Sequence, residues 1–424
     1  MPNIFSKIKR SHPHGVNEAK KGSRGTGNIV FLGLTAMMMY VLAFSGVVNE
    51  RAIEKAVVFE EVLPGSLSDD EIFFFRDTIT KFLLARNFNG NVLVAREGTV
   101  LISRSFGFSD FRNHTPLTIQ MPFQLASITK TFTATAILML HHDGRLHIDS
   151  MVTSYIPEFP YPDISVRMLL NHTAGLQNYM WMVERYWKQA HPPDNEDILN
   201  LFLRHPRHLD FRPGTRFAYS NTGYAFLGLI IERVSGQPFA GFMKENIFDP
   251  LGLQHTFVYD PRLPEEMNVD RAYGFRRWGR SHIVIPDVPH DGVMGDKGIF
   301  SNIPDLFLWD RAIAENRLLP EELWQEAFSH TLLTNNRPVR YGLGWRLQSF
   351  MDIHVVHHPG RWSGFRTSLK RFTDKDATLI ILSNNSRDIT SLVEGLQNIL
   401  FYREISEISA PHEEDPEEYE VIGG

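Results

Sequence analysis

The sequence predicts an α/β (α+β) fold in which strands from both ends of one domain form a single sheet, with helices between and around them. Apolar or alternating runs bounded by turn residues predict strands at 92–96, 99–106, 354–360, 365–372 and 377–383. The dipeptide Glu97-Gly98 is a hairpin signal that joins the first two strands. Helical patterns occur at 66–86, 168–176, 222–234, 304–315 and 388–401. Because the strands lie toward the two ends of the domain, those ends should meet in the sheet.

A buried helix with a possible nucleophile at its start is predicted between Phe123 and Leu140. The run is apolar on nearly every face, and Asp143-Gly144 provides a stop. Ser127 and Lys130 lie three residues apart at its beginning, so their side chains should point the same way. A serine hydroxyl needs a base to become nucleophilic, and a lysine in a dry site can be that base. Since Ser-x-x-Lys also arises by chance, the function depends on further motifs.

Composition excludes several classes of function. The 424 residues are 43% hydrophobic and 22% charged, which is ordinary for a folded protein, and the net charge of -6 gives no footprint for nucleic acid. The absence of cysteine excludes disulfides, thiolate metal sites and a cysteine nucleophile. The histidine pairs His141-His142 and His12/His14 have no further ligand at metal-binding spacing. We therefore predict neither a metal nor another cofactor.

The N-terminus predicts a membrane location. Residues 1–28 are basic, and residues 29–48 are a stretch of 20 residues without a charge. Such a stretch can cross a bilayer as a helix, and its basic flank stays in the cytoplasm. We predict a membrane anchor, and the alternative is a signal peptide cleaved near Ala43-Phe44-Ser45. Either way, the catalytic domain would be extracytoplasmic, periplasmic or at the cell surface. Residues 49–65 are predicted as a linker and the acidic residues 406–424 as a disordered tail.

Two more motifs follow the Ser-x-x-Lys pair in order, Tyr219-Ser220-Asn221 and His358-Pro359-Gly360. This series resembles the serine β-lactamase and penicillin-binding protein superfamily. It is most similar to the class C β-lactamase-related serine hydrolases, which include D-Ala-D-Ala carboxypeptidases, D-aminopeptidases and esterases. The sequence segments 170–176 and 298–301 also resemble that family. The resemblance covers roughly residues 75–400, and we assign the serine hydrolase domain to residues 66–405.

The resemblance implies a β-lactamase/transpeptidase-like fold. Its central antiparallel sheet is flanked by helices, an all-helical lobe is inserted, and the active site lies in the cleft between sheet and lobe. Ser127 would attack a carbonyl and carry the acyl group, and Lys130 would take the serine proton. Tyr219 could relay a proton to the leaving group.

The resemblance also implies a set of substrate-binding residues: Asn221, His358, Gly360 and Arg361. Asn221 would bind Lys130 or the substrate amide, and the backbone N–H groups of Ser127 and Arg361 would form the oxyanion hole. Plainer interpretations exist for several of these residues. Tyr219 could pack at a turn, Asn221 could cap the helix predicted at 222–234, and His358 could be an ordinary histidine at a strand end.

The third motif departs from the Lys-Thr-Gly form in which lysine and threonine hold a substrate carboxylate. His358 has a conditional charge, and Pro359 has neither a hydroxyl nor an N–H. Arg361 or Arg366 could replace those contacts, since guanidinium binds carboxylate bidentately. We therefore expect an amide or ester hydrolase in preference to an efficient β-lactamase.

The sequence thus predicts an extracytoplasmic serine hydrolase that forms a covalent acyl-enzyme. Its expected substrates are D-amino-acid peptides of the cell-wall type, with a carboxylesterase as the alternative enzyme. A catalytically silent sensor or scaffold that binds peptidoglycan or penicillin is the alternative from another class of function. The partners predicted are a small peptide or ester and the membrane, without nucleic acid, and the oligomeric state is left open.

Overall fold

The structure is a computed structural model that describes residues 67–263, 270–279 and 281–402. The predicted anchor at 29–48, the linker at 49–65 and the acidic tail at 406–424 lie outside these residues. Among the helices in the described ranges, none combines the length and apolar character needed to cross a bilayer.

The largest sheet contains six strands from both ends of the domain, and every pairing in it is antiparallel. The strands are β1 (Gly90–Arg96), β2 (Thr99–Phe106), β3 (Phe108–Asp110), β4 (Thr115–Pro116), β5 (Phe123–Gln124), β6 (Phe257–Val258), β7 (Phe275–Trp278), β8 (Ser281–Val284), β9 (Ile299–Ser301), β10 (Thr331–Leu332), β11 (Pro338–Val339), β12 (Arg346–Phe350), β13 (Ile353–Trp362), β14 (Phe365–Phe372) and β15 (Ala377–Ser383). In the large sheet the strands lie in the order β12-β13-β14-β15-β1-β2. The prediction that the two ends of the domain meet in one sheet is confirmed, and the meeting point is the pairing of β15 with β1.

Helices cover both faces of this sheet and form the inserted lobe. They are α1 (Asp69–Leu84), α2 (Thr129–His142), α3 (Val166–Leu170), α4 (Tyr179–Tyr186), α5 (Asn195–Arg204), α6 (Asn221–Ser235), α7 (Phe239–Met243), α8 (Asp249–Leu251), α9 (Ile303–Ala314), α10 (Glu321–Ala327) and α11 (Thr390–Leu400). The predicted fold class, a central antiparallel sheet with flanking helices and a helical insertion, is confirmed. The insertion is helical from α2 to α8, and short sheets such as β5-β9-β6 follow it or border it.

Alternation along the strands separates two cores. Val94, Leu379 and Ile381 face the core that α1 and α11 cover, whereas Leu93 and Ile380 face the core shared with the lobe. Full burial of each such side chain stabilises the fold by roughly 1.5–3 kcal/mol. The motifs that the sequence predicts to form an active site therefore belong on the lobe side of the sheet.

Two local predictions are wrong. Gly360 does not end its strand, because β13 continues to Trp362 and the turn is made by Ser363 and Gly364 with φ of 22° and 88°. The helix predicted at 168–176 ends at Leu170, since His172 adopts a φ of 62° that no α-helix accommodates. Glycine occurs both at turns and where two backbones lie close together. The residue type alone therefore did not show which of the two applies at Gly360.

A buried ion pair ties α9 to the sheet. Arg371 Nη1 on β14 donates to Asp310 Oδ2 at 2.9 Å, and the Thr378 hydroxyl on β15 donates to the same oxygen at 2.6 Å. The Arg371 and Asp310 side chains are only 8% and 1% exposed. A charge buried to this degree depends on its partner, since little water reaches it.

Arg371→Met should lower the free energy of unfolding by about 3–5 kcal/mol, because it leaves the Asp310 carboxylate buried without its cation. Urea unfolding measures the loss. Arg311→Met is the matched control, since Arg311 pairs with the 40% exposed Asp376 and should cost less than about 1 kcal/mol. Equal losses of stability for the two variants would contradict the dependence of Asp310 on Arg371. In the double variant, adding Asp310→Asn to Arg371→Met should restore part of the stability.

Candidate active site

Ser127 lies in a short 3₁₀ turn, Ala126–Ile128, that leads directly into α2. The turn is held from both sides: Leu125 N–H donates to Ile299 O at 2.9 Å, and the Thr367 hydroxyl donates to Leu125 O at 2.8 Å. Ala126 adopts a φ of 51°, which is unusual for a residue with a side chain. The surrounding strands therefore impose the backbone conformation that presents Ser127 at the cleft.

Lys130 lies one helical turn further along, and its side chain is completely buried. Its Nζ is 3.3 Å from Ser127 Oγ, 2.8 Å from Asn221 Oδ1 and 2.7 Å from the backbone oxygen of Asp296. The two carbonyl-type oxygens can only accept hydrogen bonds. A neutral amine would donate its two N–H groups to them, which leaves its lone pair for the hydroxyl proton of Ser127.

The electrostatics of the site favour that neutral amine. Burial lowers the pKa of Lys130, the negative charge of Asp296 opposes this effect and the positive charge of Arg346 adds to it, so that the resulting pKa is about 8. An ordinary lysine titrates near 10.4, so a much larger fraction of Lys130 is neutral at physiological pH. The geometry and the charge of the site thus both suit Lys130 to act as a base.

Asn221 is free to bind Lys130 because a neighbouring residue caps its helix. The cap of α6 is Ser220, whose Oγ accepts from the N–H of Gly223 at 3.3 Å. Asn221 is the first helical residue, and its Oδ1 accepts from Lys130. The alternative in which Asn221 caps the helix is therefore wrong.

Tyr219 borders the open side of the site and is 36% exposed. Desolvation by the surrounding protein raises the pKa of its hydroxyl above the usual value, and a hydrogen bond with Ser127 works in the opposite direction. The hydroxyl therefore keeps its proton at neutral pH and can donate it. Lys130 Nζ lies 5.1 Å from the centroid of the ring, so the three catalytic candidates are in mutual contact.

His172 belongs to the site, but the sequence analysis did not predict it as a site residue, although it lies within the segment 170–176 that resembles the family. Its ring is 4.4 Å from that of Tyr219 and 4.6 Å from that of Tyr341, between ring centroids. Its Nδ1 accepts from the N–H of Ser220 at 3.2 Å, so Nε2 carries the proton. Burial holds the pKa of His172 well below its usual value, and the neutral ring supports the segment that carries Tyr219.

His358 and Gly360 face the lobe from β13. The His358 ring is 1% exposed, its Nδ1 lies 2.8 Å from the Pro359 oxygen, and its Nε2 accepts from the Tyr341 hydroxyl at 3.3 Å. Burial and the charges of Lys130 and Arg346 hold the pKa of His358 well below its usual value. His358 is therefore a neutral residue and supplies no charge to a substrate carboxylate.

The side chains of Arg361 and Arg366 lie on the other face of the sheet. They are cross-strand partners, and by alternation they share the face of Val355 and Phe372, which belong to the core under α1 and α11. Arg361 can therefore contribute to the site only through its backbone N–H. This placement does not favour either guanidinium as the substitute anchor for a carboxylate.

Arg346, the first residue of β12, is the cation on the side of the cleft. Its guanidinium carbon lies 5.1 Å from the ring centroid of Tyr219, and its Nε is buried without a hydrogen-bond partner in the described residues. The pairing of β12 with β13 ends at His357. From His358 to Trp362, this edge of β13 has no strand beside it within the described chain. Sequence reasoning missed Arg346, because nothing local marks it as part of the site.

A buried network fixes the backbone that receives Lys130. Lys297 Nζ donates to the Tyr179 hydroxyl oxygen at 2.6 Å and lies 3.3 Å from Asp296 Oδ1, while the Tyr179 hydroxyl donates to Asp296 Oδ2 at 3.1 Å. Lys297 also lies 4.9 Å from the ring centroid of Trp362 on β13. These contacts join the lobe, the 295–299 loop and the sheet around the Asp296 carbonyl. Within the described ranges, no group of three or more His, Asp or Glu side chains could hold a metal ion.

A family profile described as Beta-lactamase matches residues 75–403, and the chain belongs to this family. Membership of this family supports the interpretation that the protein is a hydrolase. Penicillin-binding protein 4* of Bacillus subtilis is 36% identical over 327 residues, which cover 74% of this chain and 72% of the relative. A D-aminopeptidase of Gluconobacter oxydans is 23% identical over 303 residues, which cover 70% of this chain and 55% of the relative, so the match spans about half of that protein.

Solved structures show the same fold. FmtA of Staphylococcus aureus superposes with a TM-score of 0.68 at 20% identity, covering 84% of this chain and 93% of FmtA. The D-amino acid amidase of Ochrobactrum anthropi, in complex with L-phenylalanine amide, gives a TM-score of 0.65 at 23% identity, covering 80% of this chain and 99% of the amidase. At these identities the likeness establishes the architecture and not the substrate.

Gly360→Ala should reduce kcat/KM by about 100-fold, since small displacements of reacting groups carry costs of this size. A Cβ on Gly360 would lie 2.3 Å from Leu125 O and 2.0 Å from Thr367 Oγ1, which forces β13 away from the turn that carries Ser127. Steady-state hydrolysis of a chromogenic D-alanine anilide measures the effect. Gly241→Ala, where a Cβ meets nothing within 4 Å, is the control and should retain activity. Full activity of Gly360→Ala would show that the close approach is dispensable.

Proposed function

We propose that this protein is an extracytoplasmic serine hydrolase that cleaves D-amino-acid peptide amides through a covalent acyl-enzyme. The observation that carries the proposal is the buried Lys130 amine, 3.3 Å from Ser127 Oγ, with its other two contacts directed at oxygens that only accept. A lysine held in this way serves as the general base that a serine nucleophile requires.

Acylation begins when neutral Lys130 removes the proton from Ser127 and the oxygen attacks the substrate carbonyl. The negative charge that forms on the carbonyl oxygen is stabilised by the N–H groups of Ser127 and Arg361, and each such donor can contribute roughly 3 kcal/mol. The C–N bond breaks as Tyr219, which keeps its proton because its pKa is raised, donates to the leaving amine. The proton on Lys130 then restores the Tyr219 hydroxyl.

Deacylation repeats these steps with water in place of serine. The Tyr219–Lys130 pair accepts a proton from water, the hydroxyl oxygen attacks the ester carbonyl, and the bond to Ser127 Oγ breaks. Ser127 takes back the proton, and the product leaves as a carboxylic acid. Each group returns to its initial protonation state, so the cycle needs no cofactor or co-reactant other than water.

The substrate class rests on the relatives and on the altered third motif. Relatives and structural neighbours are named D-aminopeptidase, D-amino acid amidase and penicillin-binding protein. Neutral His358 and Pro359 cannot supply the charge and the hydroxyl of a Lys-Thr-Gly motif. Arg346 is the cation near Tyr219 that could take a substrate carboxylate. This combination favours peptide amides over rapid β-lactam hydrolysis.

The extracytoplasmic location rests on the sequence. The uncharged stretch at 29–48 follows the basic residues 1–28, which is the arrangement of a membrane anchor with a cytoplasmic flank. A penicillin-binding protein among the relatives is consistent with a domain that meets the cell wall. We therefore place residues 66–405 outside the cytoplasm.

Ser127-dependent adducts test the mechanism directly. Intact-protein mass spectrometry after incubation with a fluorophosphonate should show one adduct on the wild type and none on Ser127→Ala. A stable penicillin adduct in addition would identify a D-Ala peptidase of the cell-wall type, whereas a fluorophosphonate adduct alone would favour esters or uncharged peptides. If neither reagent labels Ser127, the catalytic proposal is overturned and a silent binding module takes its place.

The pH dependence should report Lys130. Since the neutral form is the active one and its pKa is about 8, kcat/KM should rise roughly tenfold from pH 7 to pH 9 and then level off. Arg346→Gln removes a charge that lowers this pKa, so the rise should move to higher pH. The exposed Arg337→Gln is the control and should leave the profile in place. A profile that is flat from pH 6 to pH 9 would exclude Lys130 as the base.

A further inference from the structure

A pocket of about 250 Å³ lies beside the turn that carries Ser127. Its walls come from β5, from the segment before β7, from the 284–291 loop and from the turn between β13 and β14. The pocket does not include any of the catalytic candidates. Its volume is below the roughly 300–1,000 Å³ typical of sites for drug-sized ligands, so it suits a group the size of an amino-acid residue.

Two residues that line this pocket, Gln124 and Arg271, each carry a buried polar atom without a partner in the described part of the chain. Gln124 is 5% exposed and Arg271 is 9% exposed, yet Gln124 Oε1 and Arg271 Nε make no hydrogen bond within the described residues. A buried polar group of this kind destabilises the fold, because it has lost its contact with water without gaining another hydrogen bond. One is an acceptor that requires a donor, and the other is a donor that requires an acceptor. The pair is therefore complementary to a ligand that offers both.

The charged groups in the pocket already have partners, which indicates that this ligand is neutral. The Asp291 carboxylate accepts from Trp362 Nε1 at 2.6 Å and from the N–H of Val288 at 2.7 Å. Arg271 Nη2 is already 3.1 Å from the Asp287 carboxylate, which also lines the pocket, so its charge is balanced without an anion. Phe300 and Phe365 add apolar walls. A secondary amide has one N–H, one carbonyl oxygen and no charge, and a peptide unit fits these requirements better than a carboxylate or an amine.

The position of the pocket connects it with the active site. Gln124 precedes Ser127 by three residues, a span of at most about 10 Å even in a fully extended chain. On the other side, Ser363 follows Gly360 by three residues, and Trp362 between them donates through Nε1 to the pocket residue Asp291 at 2.6 Å. The pocket and the Ser127 turn are therefore joined by two short chain segments, and a substrate that extends along the free edge of β13 from Gly360 toward Trp362 approaches the pocket.

We propose that this pocket binds the second peptide unit on the acyl side of the scissile bond, with its N–H donating to Gln124 and its carbonyl accepting from Arg271. The assignment rests on the proposed function and adds a preference to it. The enzyme would favour D-amino-acid amides that carry an N-acylated neighbouring residue over those that end at the scissile residue.

Three substrates with the same leaving group test the assignment. N-acetyl-D-alanine anilide lacks the second peptide unit, N-acetylglycyl-D-alanine anilide has it, and acetoxyacetyl-D-alanine anilide has an ester oxygen in place of its N–H. For the wild type, kcat/KM should be at least about tenfold higher for the glycyl substrate than for the ester, because the ester leaves Gln124 unpaired.

Variants separate the pocket from the catalytic groups. Gln124→Met should abolish the preference for the amide while leaving hydrolysis of the short substrate unchanged. Arg271→Lys keeps the charge opposite Asp287 but removes the Nε donor, and it should lower the rate on both extended substrates. Gln325→Met, an exposed site on α10, is the matched control and should keep the wild-type preference.

Equal kcat/KM for the three substrates in the wild type would overturn the pocket assignment and leave the proposed function intact. A preference that persists in Gln124→Met would overturn it as well, since the discrimination would then arise elsewhere. Absence of Ser127-dependent turnover of even the short substrate would overturn the proposed function itself, and the pocket assignment with it.

Discussion

The fold of the catalytic cleft depends on one buried amine. Lys130 brings together a helix of the lobe, the loop that contains Asp296 and the start of α6, and its Nζ contacts Ser127 as well as both oxygens that only accept. Removing an amine from water is costly, so this arrangement persists only where every contact is made. The same burial lowers its pKa, which is about 8, so the structural constraint and the proposed role of Lys130 as a base have one cause.

The surroundings of Lys130 hold their positions through further buried polar contacts. Tyr179, Asp296 and Lys297 form a closed set of hydrogen bonds that fixes the carbonyl beneath the amine. On the opposite side, neutral His172 supports the segment of Tyr219. Because a partly satisfied network would be worse than an apolar core, each of these residues constrains its neighbours. Preorganisation of this kind lets the site react without rearranging.

The third motif contributes shape in place of charge. His358 is buried and neutral, Gly360 permits β13 to approach the turn of Ser127, and the side chain of Arg361 lies on the far face of the sheet. The cation near the cleft is Arg346 from a neighbouring strand. Within the Beta-lactamase family, this protein therefore combines a Ser-x-x-Lys pair in close contact with a third motif that lacks the lysine and threonine of the Lys-Thr-Gly form.

The sequence by itself determined five of the six strands of the large sheet, the buried helix and the order of the three motifs, because strand alternation, helix periodicity and motif spacing are local properties. It also identified Ser127, Lys130, Tyr219 and Asn221 as a group. Only the tertiary structure decided that Asn221 binds Lys130, that Gly360 lies within a strand and that Arg346 borders the site. Those facts depend on contacts between residues far apart in the chain, and local patterns carry no information about which distant backbone or charge will lie alongside.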